Sequence, residues 1–144
     1  MATAEQTHPL AKSTRRIKEA FRAHPRTILT RDRQTGKTHA LLEFIAETCE
    51  EACPEGAFLV TFSAMEAARI QHWAQEAYPN LALRVLSPLT YPNCARDRTL
   101  PVFADEFFML TRKLQKELSK DHRFMGGIGS IPDGLITAES WTRA

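Results

Sequence analysis

Short apolar blocks and helical stripes alternate along most of this chain. Residues 26–30, RTILT, form a brief β-rich run. A polar loop, RDRQTG at 31–36, separates that run from a stretch in which Leu41, Leu42, Ile45, Cys49 and Ala52 recur at the spacing of one helix face. The unit then repeats: AFLVTF at 57–62 is a continuous apolar strand, and Ala67, Ile70, Trp73, Ala74 and Ala77 mark the helix behind it. LALRVLS at 81–87 predicts a third strand, the Pro- and Asn-bearing segment up to 98 a loop, and LPVFADE at 100–106 a fourth strand. Phe107, Leu110, Leu114 and Leu118 predict a further helix stripe; a glycine-rich turn follows, and GLITA at 134–138 is short enough for a fifth strand. Strands apolar on both faces and separated by helices imply a three-layer α/β domain around a mainly parallel sheet of about five strands. Ahead of it, residues 1–9 read as a polar arm. Leu10, Ile17, Ala20 and Phe21, set among basic residues, read as an amphipathic helix ended by Pro25. The expected organisation is an arm and basic helix at 1–25 and a core at 26–144.

Composition narrows the class without deciding it. A chain of 144 residues with 43% hydrophobic and 25% charged residues suits one soluble globular domain and excludes disorder throughout. Nineteen Lys and Arg against 17 Asp and Glu give a net charge of +2, too little to argue for nucleic-acid binding by total charge. Basic residues do gather at Arg15, Arg16, Lys18 and Arg22, and again at Arg112, Lys113, Lys116, Lys120 and Arg123. Solvated helix faces explain such runs in most proteins, and contact with a polyanion is the alternative. The three cysteines, Cys49, Cys53 and Cys94, cannot all pair, and no signal segment or run near the roughly 20 apolar residues of a membrane span occurs. A soluble protein of a reducing cytoplasm is expected, the host cytoplasm if the chain is viral. Cys49 and Cys53 lie one helical turn apart but have no companion pair at zinc spacing, so packing explains them better than metal does.

The chemistry concentrates in the first loop and the fourth strand. A loop between a first strand and a first helix suits phosphate, because backbone N–H groups and the positive end of the helix dipole converge there. Within RQTGKT, Gly36 permits close backbone approach, Lys37 can reach the β and γ phosphates, and the hydroxyl of Thr38 can ligate Mg²⁺. Gln34 and Thr35 complete the cradle. Arg31, however, stands where the usual G-x-x-x-x-G-K-[ST] loop has its first glycine. LPVFADE independently ends an apolar strand on two adjacent acids, which a buried strand otherwise avoids. In a Walker B arrangement Asp105 would hold Mg²⁺ and Glu106 would polarise the attacking water. The alternative is that both acids merely open the next helix, where negative charge favours the dipole.

Taken together, these motifs resemble the ATPase domain of large terminase subunits, the DNA-packaging motors of viral heads, and more broadly helicase-like P-loop NTPases. In that terminase family the first Walker A glycine is commonly replaced, and an Arg-Gln pair precedes x-G-K-[ST], as Arg33 and Gln34 do here. FLVTFSAMEAARIQ is similar to motif Ia, FADE to motif II and LITAES to the Thr-Ala turn of motif III, so the resemblance runs from Ile28 to Ser140. It implies a RecA-like fold, ATP and Mg²⁺ as cofactors, Arg33 as a γ-phosphate sensor, Thr137 as the residue coupling nucleotide to nucleic acid, and Ser63 as a backbone contact to DNA or RNA. Ser63 has a second reading as a helix N-cap, with Glu66 completing a capping box. Trp73 and Trp141 could stack on bases, although Trp73 also fits the core stripe.

The chain ends at Ala144, and the 87–99 loop is shorter than these families usually have. A nuclease domain or second RecA-like domain is therefore expected from a protein partner or homo-oligomer. The preferred function is Mg²⁺-dependent ATP binding and hydrolysis in nucleic-acid transactions, phage or mobile-element in origin and slow without a partner. A nucleotide-binding regulator with little or no hydrolysis is the alternative. A small kinase fits less well, since no Arg-rich lid is visible.

Overall fold

The computed structural model describes residues 18–19, 22–23, 26–30, 37–52, 55–94, 100–130, 134–137 and 139. Six strands form a single sheet: β1 (Thr27–Thr30), β2 (Ala57–Val60), β3 (Leu83–Leu86), β4 (Val102–Ala104), β5 (Phe124–Gly129) and β6 (Gly134–Thr137). Their spatial order is β3-β2-β4-β5-β1-β6. The first five run parallel, and β6 closes the edge antiparallel to β1. Helices α1 (Lys37–Ala52), α2 (Ala64–Ala77), α3 (Tyr91–Cys94) and α4 (Arg112–Lys120) connect them, with a 3-10 turn at Phe107–Met109. This is the three-layer, RecA-like α/β architecture expected from the alternation of apolar blocks and helical stripes.

Two hydrophobic layers hold the sheet. On one face Leu41, Leu42 and Ile45 of α1 and Ile70 and Ala74 of α2 pack on Leu29, Leu59, Phe103 and Ile128. On the other, Leu114 and Leu118 of α4 join Phe107 and Tyr91 over Ile28, Phe58, Val60 and Phe124. Strands covered on both sides explain why 57–60 is apolar at every position instead of alternating. The stripe Phe107, Leu110, Leu114, Leu118 is buried as expected, but the helix carrying it is interrupted: Thr111 caps α4 by accepting from Leu114 N at 3.2 Å. Among the described residues, no helix is long and apolar enough to cross a membrane.

The glycine-rich segment expected to be a turn is instead strand β5, wedged between β4 and β1. Turn and strand compete for such a sequence, and close approach decides. A Cβ on Gly127 would lie 1.9 Å from the carbonyl oxygen of Ala104, and one on Gly126 would lie 2.2 Å from that of Thr27. Gly126 also has φ of +104°, at a bulge where β5 spends four residues, Phe124 to Gly127, against the three from Val102 to Ala104. The strand is glycine-rich because its neighbours leave no room for side chains there.

Polar contacts tie down the opposite end of β5. Arg26, itself at φ of 66°, sends its guanidinium to the carbonyls of Ser119, Asp121 and Phe124 and to Glu139. Asp121 accepts from Arg123 and from the Tyr91 hydroxyl, the latter at 2.7 Å. Burial works against its charge, yet these bonds hold the carboxyl down at about 2. Arg123 thus belongs to an internal ion pair. Lys18 and Arg22 likewise pair with Glu43 and Glu47 of α1. Of the basic residues gathered in the sequence, these three are paired in the fold, while Lys113, Lys116 and Lys120 are exposed.

A direct consequence concerns Gly127. Gly127→Ala is expected to destabilise the protein by about 2–3 kcal/mol in urea unfolding, the range of core overpacking. The exposed substitution Lys116→Ala should stay within about 0.5 kcal/mol. A neutral Gly127→Ala would mean that β5 does not lie this close to β4.

Candidate nucleotide site

The carboxyl ends of the parallel strands gather the polar residues that the core excludes. Chains leave β1 and β4 toward opposite faces, α1 packing on one and the 3-10 turn and α4 on the other. A crevice at such a switch point is where α/β sheets bind ligands. The first turn of α1 presents Lys37, buried at 5% exposure, and Thr38. Asp105 follows β4 directly and is 2% exposed. The Thr38 hydroxyl donates to Asp105 Oδ1 at 2.9 Å, joining two segments 67 residues apart in sequence. The two motifs found independently in the sequence therefore meet.

Neighbouring charges and burial set the state of the acid. Burial pushes the Asp105 carboxyl up to about 6; the Thr38 hydrogen bond pulls it down, and the charges of Glu106 and Glu66 push it up. Glu106 turns away from Asp105. Its backbone is left-handed, φ 52° and ψ 55°, and leads at once into the 3-10 turn, with Met109 N donating to Glu106 O at 2.9 Å. Such a conformation is costly for a residue with a Cβ, and packing enforces it here. Phe107 is buried against Phe124, and Phe108 covers Gly129, where an added Cβ would be 2.4 Å from its ring. The Glu106 carboxylate thereby reaches across the end of β5 and accepts from Ser130 Oγ at 2.7 Å.

Ser130 was not among the residues expected from sequence. It becomes visible once 124–129 is read as a strand, since it is then the first polar residue past a buried carboxyl end. Thr137, expected to be the coupling residue, pairs with Thr27 in the antiparallel register, while Gly134 lies opposite Thr30 at the site end of β1. Three residues of strand, about 10 Å, separate it from that end. Ser63 caps α2, accepting from Glu66 N at 3.1 Å. Only half of the expected capping box forms, because the Glu66 carboxylate pairs with Arg69. The Arg69 guanidinium lies 5.9 Å from the Trp73 ring centroid, and Trp73 stacks on His39 beside Thr38 at 6.1 Å, so α1 and α2 are clamped together next to the site. Arg33, Gln34, Thr35 and Gly36 lie outside the described residues, as does Trp141.

The donor set fits Mg²⁺. A threonine hydroxyl bonded to a buried carboxylate offers hard oxygen ligands, and no group of three His, Cys, Asp or Glu among the described residues forms a protein cage. Mg²⁺ suits such a site, being held by one or two carboxylates with the remaining positions left to water and phosphate.

No family model matches the chain, and no curated protein matches it. Among solved structures it is similar to the Sulfolobus solfataricus SWI2/SNF2 ATPase core in complex with dsDNA, with a TM-score of 0.64 at 9% identity. The match covers 85% of this chain and 31% of that one, so the chain spans about a third of its neighbour's length. The likeness shows a RecA-like α/β fold.

The raised Asp105 carboxyl predicts a specific pH dependence. An acid whose folded value lies above its ordinary 3.8 stabilises the fold below that value, and the contribution is lost as pH rises through about 6. Asp105→Asn does not titrate, so without nucleotide it should exceed the wild type by about 2–3 kcal/mol near pH 7, the margin closing toward about pH 4. A margin independent of pH, measured by urea unfolding across this window, would assign the titration to another group.

Proposed function

We infer that the chain binds ATP with Mg²⁺ at the carboxyl edge of its sheet and hydrolyses it in a nucleic-acid transaction. The Thr38–Asp105 hydrogen bond carries this reading. It joins a Gly-Lys-Thr helix start to a carboxylate at the end of a buried strand, and that pairing serves triphosphate chemistry in P-loop proteins. Lys37, together with the loop Arg33 to Gly36, would hold the phosphates, and Arg33 would sense the γ phosphate. Thr38 and Asp105 would hold the cation, which when bound neutralises charge on the β and γ oxygens. Glu106, oriented by Ser130, would accept a proton from the attacking water. Because Ser130 already occupies one carboxylate oxygen, the other is directed by a fixed backbone and not by a free rotamer.

The nucleic-acid half of the proposal draws support from the helicase-like fold and from a neighbour solved with dsDNA. This favours a helicase- or translocase-like role over DNA packaging, although RQTGKT retains its resemblance to terminases. Exposed Lys113, Lys116 and Lys120 and the end of β2 at Ser63 are the proposed contacts, and a protein partner or second copy would complete the motor. A regulator lacking hydrolysis is the second reading. The intact Lys37, Thr38, Asp105 and Glu106 argue against it.

Two substitutions separate binding from chemistry. Lys37→Ala should weaken Mg-ATP binding by about 2–3 kcal/mol in calorimetry, the loss of a charge-assisted contact. Glu106→Gln should retain nucleotide yet hydrolyse it at least roughly 100-fold more slowly. Absence of wild-type binding would end the nucleotide reading, whereas binding without turnover in wild type would favour the regulator.

A further inference from the structure

Among the described residues, buried polar side chains are satisfied with one exception. Gln115 donates to Leu110 O, Ser119 to Gln115 O, and Ser87 shares a hydrogen bond with Thr90. Thr61, 0% exposed, has a hydroxyl with no partner among the described residues. Valine would fill the same volume at a strand end without that cost.

The position of Thr61 gives the hydroxyl a use. Val60 pairs with Ala104, and the ladder continues one residue further: Asp105 N donates to Val60 O at 2.9 Å and Thr61 N to Leu86 O at 3.0 Å. Thr61 and Asp105 are therefore adjacent positions on neighbouring parallel strands, about 4.8 Å apart. They also share a face. Leu59 and Phe103, two residues earlier on each strand, belong to the layer under α1 and α2, and Asp105 meets Thr38 from that side. A lone hydroxyl thus lies beside the carboxylate proposed to hold the cation.

We propose that Thr61 is a positioning residue for the divalent cation of this site, its hydroxyl accepting a hydrogen bond from a water in the cation's hydration shell. This rests on the nucleotide-site reading above. Mg²⁺ retains several waters when protein carboxylates hold it, and those waters are strong donors in need of acceptors. Thr38 donates to one Asp105 oxygen, and Thr61 supplies an acceptor next to that carboxylate. Partners of this outer kind tune metal affinity without touching the metal. They leave nucleotide affinity in the absence of metal unchanged.

The test uses Mn²⁺ as a spectroscopic probe with a non-hydrolysable ATP analogue and the whole chain. Thr61→Val should raise the Mn²⁺ dissociation constant about tenfold by electron paramagnetic resonance titration, the usual scale for such a partner. Analogue binding in EDTA should not change, and the unfolding midpoint of the metal-free variant should equal or exceed that of wild type. Thr61→Ser should restore Mn²⁺ affinity, and Thr61→Ala, which also lacks the hydroxyl, should reproduce the loss if the valine variant folds poorly. An Mn²⁺ constant within twofold of wild type in the folded Val or Ala variant, or lowered stability with unaltered Mn²⁺ binding, overturns the proposal while leaving the nucleotide site intact. Failure of wild type to bind Mn²⁺ with the analogue overturns both.

Discussion

The two halves of the candidate site lie on strands that are not neighbours, and everything at the carboxyl edge depends on how thin the strand between them can be. β5 separates β1 from β4, and its glycines let the carbonyl oxygens of Thr27 and Ala104 approach to distances a Cβ would forbid. Past the end of this single intervening strand, Thr38 on the first turn of α1 reaches Asp105 at the end of β4. The same strand ends on Gly129 and Ser130, one accommodating Phe108 and the other orienting Glu106. A side chain at Gly127 would press on the backbone of Ala104 just before Asp105, and one at Gly129 on the Phe108 ring beside Glu106.

Three costs meet at this edge. Asp105 is a buried acid with a raised carboxyl value, Glu106 holds a left-handed backbone, and Thr61 buries an orphan hydroxyl. Elsewhere, the partly buried acid Asp121 is engaged by Arg123 and Tyr91. Clustering of unfavourable features where strands end and a helix begins is characteristic of a site maintained for a ligand. The surrounding aromatic packing of Phe107, Phe108 and Phe124 supplies the rigidity that makes those features persist.

Much of this was legible in the chain because burial on two faces writes itself as uninterrupted apolar runs. AFLVTF and LPVFADE could be read as strands, and their polar ends as one edge of a sheet. FMGGIG could not, since glycine signals a turn locally and a tight strand only when its neighbours are known. The strand expected at 134–138 is present as β6, Gly134–Thr137, but it is the sixth in chain order because 124–129 precedes it as β5. The pairing of charges was not legible for a related reason: Lys18, Arg22 and Arg123 meet Glu43, Glu47 and Asp121 only in the fold. Ser63 could be read both ways, and its hydroxyl serves the helix cap.

The central claim is that Thr38 and Asp105 meet because a nucleotide-bound cation belongs between them and the phosphates. A crystal of the protein grown with Mn²⁺ and a non-hydrolysable ATP analogue tests it most directly, because the anomalous signal of Mn²⁺ locates the metal independently of the chain. The account predicts an anomalous peak at ligand distance from Thr38 Oγ1, next to Asp105, with the analogue's phosphates over the start of α1. A metal peak remote from both residues, or an analogue bound away from the carboxyl edge of the sheet, would contradict it.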